Sequence, residues 1–501
     1  MELELKMQEL SFCDKTQRIV ASHEESMETA IPEYCPDIAR VVDTVGQLKV
    51  REKKLTGGRL TVSGAVKVTV LYISEESAGL RSLMLSVPFT CVIDDQRLQN
   101  CRSICADGRL LLVEARPITA RKLYVRVMPE FEIEGICQVQ QQLCCDVGEE
   151  PSAQTRCETK EAQLLTAVLE RTFHFNQECM PEPGCGEPED LLLERLHLCV
   201  TDCQRVSNKL IVRGEATLSV LYRTAEQDLG SCAMVLPFSQ ILDALQLPEQ
   251  AVYCAEVWAE DSDVRIVRSD GRAGFGVSAR LGVLIKVYEK TPLCYISDLY
   301  STRYETNVHR GEASIAAVRE PQTLRQEVTQ QLEFGQGRPF ACVTGLECSA
   351  VETVMEGEKA TLRTNIRCRL LYQDETGAPV TTERVMEVAV HMPQLPDSAR
   401  AVCAPVTTTM GVNSCELRFP VDFFVERREP LQIHTIRSVE MSEPTEKEQP
   451  ALILRRAREG ETLWDLAKAY RTTVSMVEAA NHMEPGDPLP QGLLLIPKMR
   501  A

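Results

Sequence analysis

KLTGGRLTVSGAVKVTVLY (residues 54–72) is followed 150 residues later by QRVSNKLIVRGEATLSVLY (204–222), and after another 150 residues by VMEGEKATLRTNIRCRLLY (354–372). Apolar and polar residues alternate through each stretch, which is the period of a half-buried β-strand. Repetition at a fixed spacing indicates a repeated structural unit. We therefore predict three equivalent β-rich units in which the leucines of the shared Leu-Tyr pairs, Leu71, Leu221 and Leu371, face inward.

The repeat divides the chain into units at 1–150, 151–300 and 301–441, of which the third is the most diverged. Within each unit, further strand patterns recur about every ten residues, with Gly, Asn and Asp between them. This spacing predicts a mainly β fold of sandwich-like or barrel-like repeats. Two segments, 161–172 and 321–334, fit either helices or long strands.

Length and charge limit the classes of function. A chain of 501 residues exceeds a single core of ~250–300 residues. It carries 55 Lys+Arg against 73 Asp+Glu, a net charge of −18, which argues against binding nucleic acid. There is no apolar run long enough for a transmembrane segment. The N-terminus does not read as a signal peptide, so we expect the chain to stay in the compartment that made it.

No motif indicates an enzyme. The segment GEKAT (357–361) lacks the leading glycine of a phosphate-binding loop, and the seven histidines are dispersed. We therefore predict no catalytic residues, no cofactor and no metal site. The 21 cysteines are odd in number and contain no Cys-x-x-Cys pair, so we expect mainly reduced thiols.

The C-terminal 51 residues follow a different pattern. After a polar linker at 442–450, residues 451–501 predict a small βααβ domain. The first helix is indicated by an apolar stripe and an N-cap pair, and the second by a capping box at 475–480. The residues concerned are Leu463, Leu466, Ala467, Tyr470, Thr462, Asp465, Ser475 and Glu478.

This C-terminal segment closely resembles a LysM domain over about 45 residues. The matching positions are Gly460, Thr462, Leu463, Ala467, Tyr470, Asn481, Gly492, Leu495, Ile496 and Pro497. One departure is Arg455-Arg456-Ala457, which replaces the usual Tyr-x-Val opening. LysM domains usually bind N-acetylglucosamine polymers, and the resemblance places that groove at loops 460–463 and 481–491.

The repeats resemble the SPOCS domain of bacterial endospore coat proteins. The stretch Pro36-Asp37-Ile38-Ala39-Arg40-Val41, leading into GAVKVTVLY (64–72), carries the resemblance in full. Several such domains before one LysM domain are similar to the SipL-like family of coat morphogenesis proteins of spore-forming Clostridia. The resemblance implies a non-enzymatic scaffold in the mother-cell cytoplasm, at the forespore surface. Its expected partners are the coat-basement ATPase SpoIVA, bound through the LysM domain, and other coat proteins.

The sequence leaves two functional hypotheses open: a protein-binding scaffold and a protein that binds peptidoglycan-type glycans. The absence of a signal peptide pattern favours the scaffold. For either reading we predict that binding residues lie in the LysM-like segment, with Trp464 either buried or facing a partner. The candidates are Arg455, Arg456, Gly460, Glu461, Thr462, Leu463, Trp464 and Asn481.

Overall fold

A computed structural model gives the architecture of most of the chain. It describes residues 2–76, 79–182, 184–245, 247–269, 271–333, 340–411, 414–443, 451–458, 460–484, 487–490 and 492–498. The fold is mainly β, as predicted. Most of the predicted linker, residues 444–450, lies outside the described residues.

The strands up to Val147 form two sheets. They are β1 (Leu5–Lys15), β2 (Ile19–Ser22), β3 (Glu25–Ala30), β4 (Ile38–Thr56), β5 (Arg59–Ser74), β6 (Leu80–Asp94), β7 (Cys101–Thr119) and β8 (Lys122–Val147). One sheet has the antiparallel order β4-β5-β6, and in the other β8 pairs with β1, β2, β3 and β7. A short 3₁₀ turn at Gln96–Leu98 connects them.

The next two sets of strands repeat this plan. The second set is β9 (Ala153–Cys179), β10 (Pro188–Val206), β11 (Lys209–Thr224), β12 (Leu229–Asp243), β13 (Ala251–Ser269) and β14 (Arg272–Ser301). The third is β15 (Glu305–Ile315), β16 (Gln322–Glu333), β17 (Ala341–Cys348), β18 (Glu352–Glu356), β19 (Lys359–Gln373), β20 (Pro379–Met392), β21 (Ser398–Cys403), β22 (Thr407–Met410), β23 (Ser414–Glu426) and β24 (Leu431–Ser442). We call these three sets, β1–β8, β9–β14 and β15–β24, repeats 1, 2 and 3.

In each repeat a meander sheet packs against a second sheet. The meanders are β4-β5-β6, β10-β11-β12 and β17/β18-β19-β20, and the second sheets are centred on β8, β14 and β23. Alternating side chains of the two sheets fill one apolar core in each repeat. The ring centroids of Phe89 and Phe131 lie 5.7 Å apart in repeat 1, and those of Tyr222 and Phe275 lie 5.6 Å apart in repeat 2. Of the sandwich-like and barrel-like arrangements that the sequence left open, the packed antiparallel sheets correspond to the sandwich.

The two segments with an ambiguous pattern are strands. Residues 161–172 lie in β9, which pairs along its length with β14. Most of 321–334 is β16, which pairs with β23. Long-range pairing with a strand more than 80 residues away decides their structure, and no local pattern reveals such a partner.

The three repeats also share cores. Leu71, Leu221 and Leu371, at equivalent positions on β5, β11 and β19, are each no more than 1% exposed and belong to one cluster. These leucines are buried, as predicted, but they face the neighbouring repeats and not the core of their own repeat. A second shared cluster joins β1 and β8 to β9, β14, β15 and β24 through residues that include Phe12, Leu164 and Ile315. The described residues between 2 and 443 therefore form one body, with buried apolar contacts across the boundaries of the repeats.

The C-terminal segment (residues 451–501) has the order β25 (Leu452–Arg456), α1 (Leu463–Tyr470), α2 (Val474–Ala480) and β26 (Leu493–Pro497), with β25 antiparallel to β26. It has its own small core of Leu466, Val477, Leu494 and Ile496. Thr462 caps α1 in a capping box with Asp465, as predicted. The predicted capping box at Ser475 is wrong, because Thr473 is the N-cap of α2 and accepts a hydrogen bond from the Met476 amide.

Candidate functional site

The first candidate site is the C-terminal segment, where the sequence placed the binding residues. Arg455 extends from β25 toward the loop before α1, and its guanidinium donates to both carboxylate oxygens of Glu461 at 2.8 and 3.1 Å. The same guanidinium lies 5.6 Å from the centroid of the Tyr470 ring. Arg455 and Glu461 thus hold the strand, loop and helix together.

Three further predicted residues shape the turn that enters α1. Gly460 is exposed and has a positive φ of 79°, a conformation that favours glycine. Thr462 is exposed, and its hydroxyl accepts from the Asp465 amide at 3.2 Å. Leu463 packs against the small core of the segment. The turn presents a backbone loop and a threonine to solvent.

Asn481 joins the end of α2 to β26. Its side-chain amide donates to the carbonyls of Val477 and Leu495, both at 2.7 Å, and its oxygen accepts from the Leu495 amide at 2.8 Å. These bonds account for the asparagine within the segment itself. A contact between Asn481 and a partner stays a prediction.

Arg456 lies on the outward face of the β25–β26 hairpin. Because residues directly opposite each other in a sheet share a face, Arg456 is grouped with Leu493, and Leu454 lies on the same face. Leu454 is 62% exposed and Leu493 is 69% exposed. The outward face of the hairpin is therefore an apolar surface with an arginine at one end.

Trp464 projects from α1 toward the body instead of into the segment's own core. Its indole N–H donates to Asp298 Oδ2 at 2.7 Å, and its ring meets Tyr300 edge-on at a centroid distance of 4.9 Å. Both partners lie on β14 of repeat 2. Of the two alternatives for Trp464, the structure shows a half-buried aromatic that contacts another part of the same chain.

Polar contacts surround Trp464 at this junction. Lys468 Nζ lies 2.7 Å from the Asp298 carboxylate, Arg471 lies 2.6 Å from Glu305, and the Tyr300 hydroxyl donates to the Thr472 carbonyl at 2.7 Å. Burial raises the pKa of Asp298, but the hydrogen bonds from Lys468 and Trp464 outweigh it and lower the pKa below the ordinary value. The carboxylate therefore stays ionised and holds α1 against β14.

The second candidate site is a cavity of about 430 Å³ where the three repeats meet. Charged residues at equivalent positions of the three repeats line it, and each follows a residue of a recurring pairing between two strands. Ala106, Ala255 and Ala399 pair with the core residues Ile133, Ile285 and Val425. The residues after the alanines are Asp107, Glu256 and Arg400, and those after the core residues are Glu134, Lys286 and Glu426.

The charged side chains of the cavity pair across repeat boundaries. Lys286 of repeat 2 lies 3.0 Å from Glu426 of repeat 3 and 3.1 Å from Glu256. Arg400 of repeat 3 lies 3.1 Å from Glu256, and Lys15 of repeat 1 binds Glu426. Burial raises the pKa of both glutamates, but these cations outweigh it and lower the pKa of each to about 2. The network fixes the three repeats relative to one another.

A further set of polar contacts joins the meander sheets near the shared leucines. Arg369 of repeat 3 lies 3.0 Å from Asp43 of repeat 1, and Lys67 of repeat 1 lies 2.5 Å from Glu194 of repeat 2. The Arg40 guanidinium donates to the Pro379 carbonyl at 3.0 Å. Arg40 belongs to the stretch that carries the SPOCS resemblance, so this stretch contributes to the junction between repeats.

Sequence reasoning missed the cavity, although a signal for it exists. The tripeptides Cys-Ala-Asp (105–107), Cys-Ala-Glu (254–256) and Ser-Ala-Arg (398–400) recur in the three repeats. Their spacings of 149 and 144 residues depart from 150, which hides them from a search at fixed period. Charge changes sign between the copies because the residues pair with one another instead of performing the same role.

The described residues contain no group of three or more His, Cys, Asp and Glu side chains arranged to hold a metal ion. None of the helices in this part of the chain has the length and hydropathy needed to cross a membrane.

Comparison with protein families finds the SipL, SPOCS domain model at residues 37–106 and 189–267. The first match covers β4–β6 and the start of β7, and the second covers β10–β12 and most of β13. Neither the curated proteins nor the solved structures contain a match to the chain. The matched segments support a SipL-like family and suggest a protein related to sporulation.

Proposed function

We propose that this protein is a non-enzymatic scaffold of spore coat assembly, in which the body carries a LysM-like segment that binds the coat ATPase SpoIVA. The observation that carries the proposal is the match of the SPOCS model to the meander sheets of repeats 1 and 2. In this proposal the protein acts in the mother-cell cytoplasm and anchors the coat, with other coat proteins, to the forespore surface.

The construction of the C-terminal segment supports a role as a binding module. Its small core is separate from the cores of the body, and a hydrogen bond and two ion pairs join the α1 region to β14 and β15. An element with its own core keeps its surface when it moves relative to its neighbour. The segment could therefore present one binding face in more than one position.

The outward hairpin face is the accessible surface that best fits a protein partner. Leu454 and Leu493 are largely exposed, and Arg456 adds a planar cation at the edge of the same face. Exposed apolar patches mark interaction sites, and arginine is enriched in protein interfaces. Trp464 would reach a partner only if its contacts with Asp298 and Tyr300 were released.

The proposal is tested by recovery of SpoIVA from sporulating cells on the full-length chain and on three variants. We expect Leu454→Glu and Arg456→Glu to abolish recovery, because the first places an unpaired carboxylate in an apolar contact and the second reverses the charge of the arginine. Trp464→Ala tests whether the indole also contributes. The matched control is Leu245→Glu, which changes a leucine that is 71% exposed on repeat 2.

Unchanged recovery by both hairpin variants would contradict the assignment of this face. The alternative is that the segment binds peptidoglycan-type glycans through loops 460–463 and 481–491. Residues 485, 486 and 491 of the second loop lie outside the described residues. If that alternative were correct, soluble chitin oligomers would bind the chain, and the hairpin substitutions would leave this binding unchanged.

A further inference from the structure

Two thiols meet between the two sheets of repeat 3. Cys348 is the last residue of β17, and Cys403 is the last residue of β21. Their Sγ atoms lie 2.9 Å apart, less than 1 Å beyond the length of a disulfide bond, which is about 2.05 Å. All 21 cysteines are free thiols in the structure.

The equivalent contact in the other repeats is apolar. The residue five positions before each shared leucine pairs with a residue on the first meander strand. These partners are Leu48 in repeat 1, Leu198 in repeat 2 and Cys348 in repeat 3. In the second sheets, the residues four positions before Ile133, Ile285 and Val425 pair with Leu110, Ala259 and Cys403, respectively. Repeat 3 therefore has a thiol pair where repeats 1 and 2 have only leucine and alanine.

The β-strands of repeat 3 are interrupted after both cysteines. Pairing stops at Cys348 and resumes at Glu352, and it stops at Cys403 and resumes at Thr407. The corresponding strands β4, β7, β10 and β13 each continue for 19 residues. Regular strand structure therefore ends at both cysteines, although the amides of Ser349 and Ala404 still donate to the carbonyls of Asn365 and Pro420.

Small molecules can reach the thiols. Both side chains line a cavity of about 240 Å³ that also includes Arg18, Arg109 and His197 from repeats 1 and 2. Cys348 and Cys403 are half-buried. A peroxide is small enough to occupy such a cavity, whereas a folded protein is not.

We propose that Cys348 and Cys403 form an oxidation site, which hydrogen peroxide converts into a disulfide that joins the two sheets of repeat 3. This inference does not depend on the proposed function of the C-terminal segment. It assigns a modification to a pair of residues whose place in the repeat is otherwise filled by an apolar contact.

The reaction proceeds in two displacements. The Cys348 thiolate attacks one oxygen of the peroxide, the O–O bond breaks, hydroxide leaves, and Cys348 becomes a sulfenic acid. The Cys403 sulfur then attacks the Cys348 sulfur, the S–O bond breaks, and the oxygen leaves as water with the released proton. Two thiols and one peroxide give one disulfide and two waters.

The same disulfide forms if Cys403 is oxidised first and Cys348 makes the second attack, so the product does not depend on the order of the two displacements.

The experiment exposes the fully reduced full-length chain to one equivalent of hydrogen peroxide, blocks the remaining thiols, and maps peptides without reduction. We expect the major cross-linked species to join the peptides of Cys348 and Cys403, with a mass lower by two hydrogens. Cys342→Ser is the matched control, because Cys342 lies on the same strand β17, and its cross-link should persist. Cys348→Ser and Cys403→Ser should each lose it.

Recovery of Cys348 and Cys403 as blocked thiols, while another pair such as Cys101 and Cys137 forms the major cross-link, would overturn the proposal. Those two cysteines are direct partners across β7 and β8 and provide an internal comparison. The result is read from the wild-type chain, so it stands even if a serine variant does not fold.

Discussion

The body and the C-terminal segment illustrate two ways of joining parts of one chain. The three repeats share buried apolar clusters, one of which contains leucines from all three. They also share a charged cavity. The four core residues of the C-terminal segment form a cluster of their own. The segment contacts the body through Trp464, Lys468, Arg471 and Thr472. Shared cores couple the repeats, whereas a polar junction lets the segment separate.

This difference is informative for function. Repeats that share cores lose apolar burial on both sides of a boundary when one of them unfolds, which favours cooperative behaviour. A segment held by a few charge-assisted hydrogen bonds can open without exposing a large apolar surface. We therefore expect the body to stay intact when the segment opens at this junction.

The largest expected effect is a loss of stability at alkaline pH in the body but not in the C-terminal segment. The body holds all the cysteines, and burial raises the pKa of Cys144, Cys368 and Cys415 to about 11. Because an unfolded thiol ionises near pH 8.5, the stability that these neutral thiols provide is complete below that pH and is lost as pH rises toward 11. The loss is roughly 2 kcal/mol per thiol by pH 10.

Denaturant unfolding of a Trp464→Phe chain, followed by the fluorescence of Trp258, measures this loss between pH 8 and pH 10. Burial lowers the pKa of Lys49 to about 8, which acts in the opposite direction but involves a single group. The C-terminal segment contains no cysteine, so exchange protection of α1 and α2 should change much less. A body whose midpoint is constant over this range would contradict the burial of the thiols.

The second effect concerns the charged cavity. Lys286→Met leaves Glu256 and Glu426 without their shared cation and should reduce the free energy of unfolding by about 3–5 kcal/mol. Lys209→Met is the matched control, because Lys209 pairs with Asp243 on the surface of repeat 2 and should cost less than about 1 kcal/mol. Equal effects of the two substitutions in urea unfolding would show that the cavity network does not join the repeats.

The third effect probes the shared apolar core. Leu221→Ala should cost about 2–5 kcal/mol, because Leu221 is 1% exposed among leucines of all three repeats. Leu245→Ala removes the same atoms from a side chain that is 71% exposed and should have little effect. Thermal unfolding of both variants checks the difference, and a small effect of Leu221→Ala would refute the shared core.

The smallest effect is expected at the junction. Asp298→Asn weakens the bonds to Trp464 and Lys468 and should reduce docking of the segment by about 1.5–3 kcal/mol, while the body keeps its stability. Acrylamide quenching of Trp464 in a Trp258→Phe background should increase. Asp243→Asn changes a surface carboxylate instead and should leave quenching as it was. If Asp298→Asn lowered the stability of the body equally, the segment would not be a separable part.

Much of the fold could be predicted from the sequence because its signals are local. Alternation with period two around Leu71, Leu221 and Leu371 identifies strands, and a Thr-x-x-Asp pattern at Thr462 identifies a helix start. The same local signals gave the wrong cap for α2, since Thr473 and Ser475 are both good caps and only the structure distinguishes them.

The candidate sites were less predictable because they depend on contacts between distant residues. Trp464 meets Asp298 across 166 positions, and Lys286 meets Glu426 across 140. A single sequence contains no information on which of 73 acidic residues a given cation will meet. The interior charges of the cavity look like ordinary surface charges until the repeats are placed together.

The central claim is that the three repeats form one cooperative body, and hydrogen exchange of the full-length Leu221→Ala variant tests it most directly. The slowest amides of β5, β11 and β19 report on the three repeats separately. We predict that protection falls by a similar factor in all three strands, because Leu221 supports a core that also contains Leu71 and Leu371. Loss of protection in β11 alone, with β5 and β19 unchanged, would contradict the account and show three independent domains.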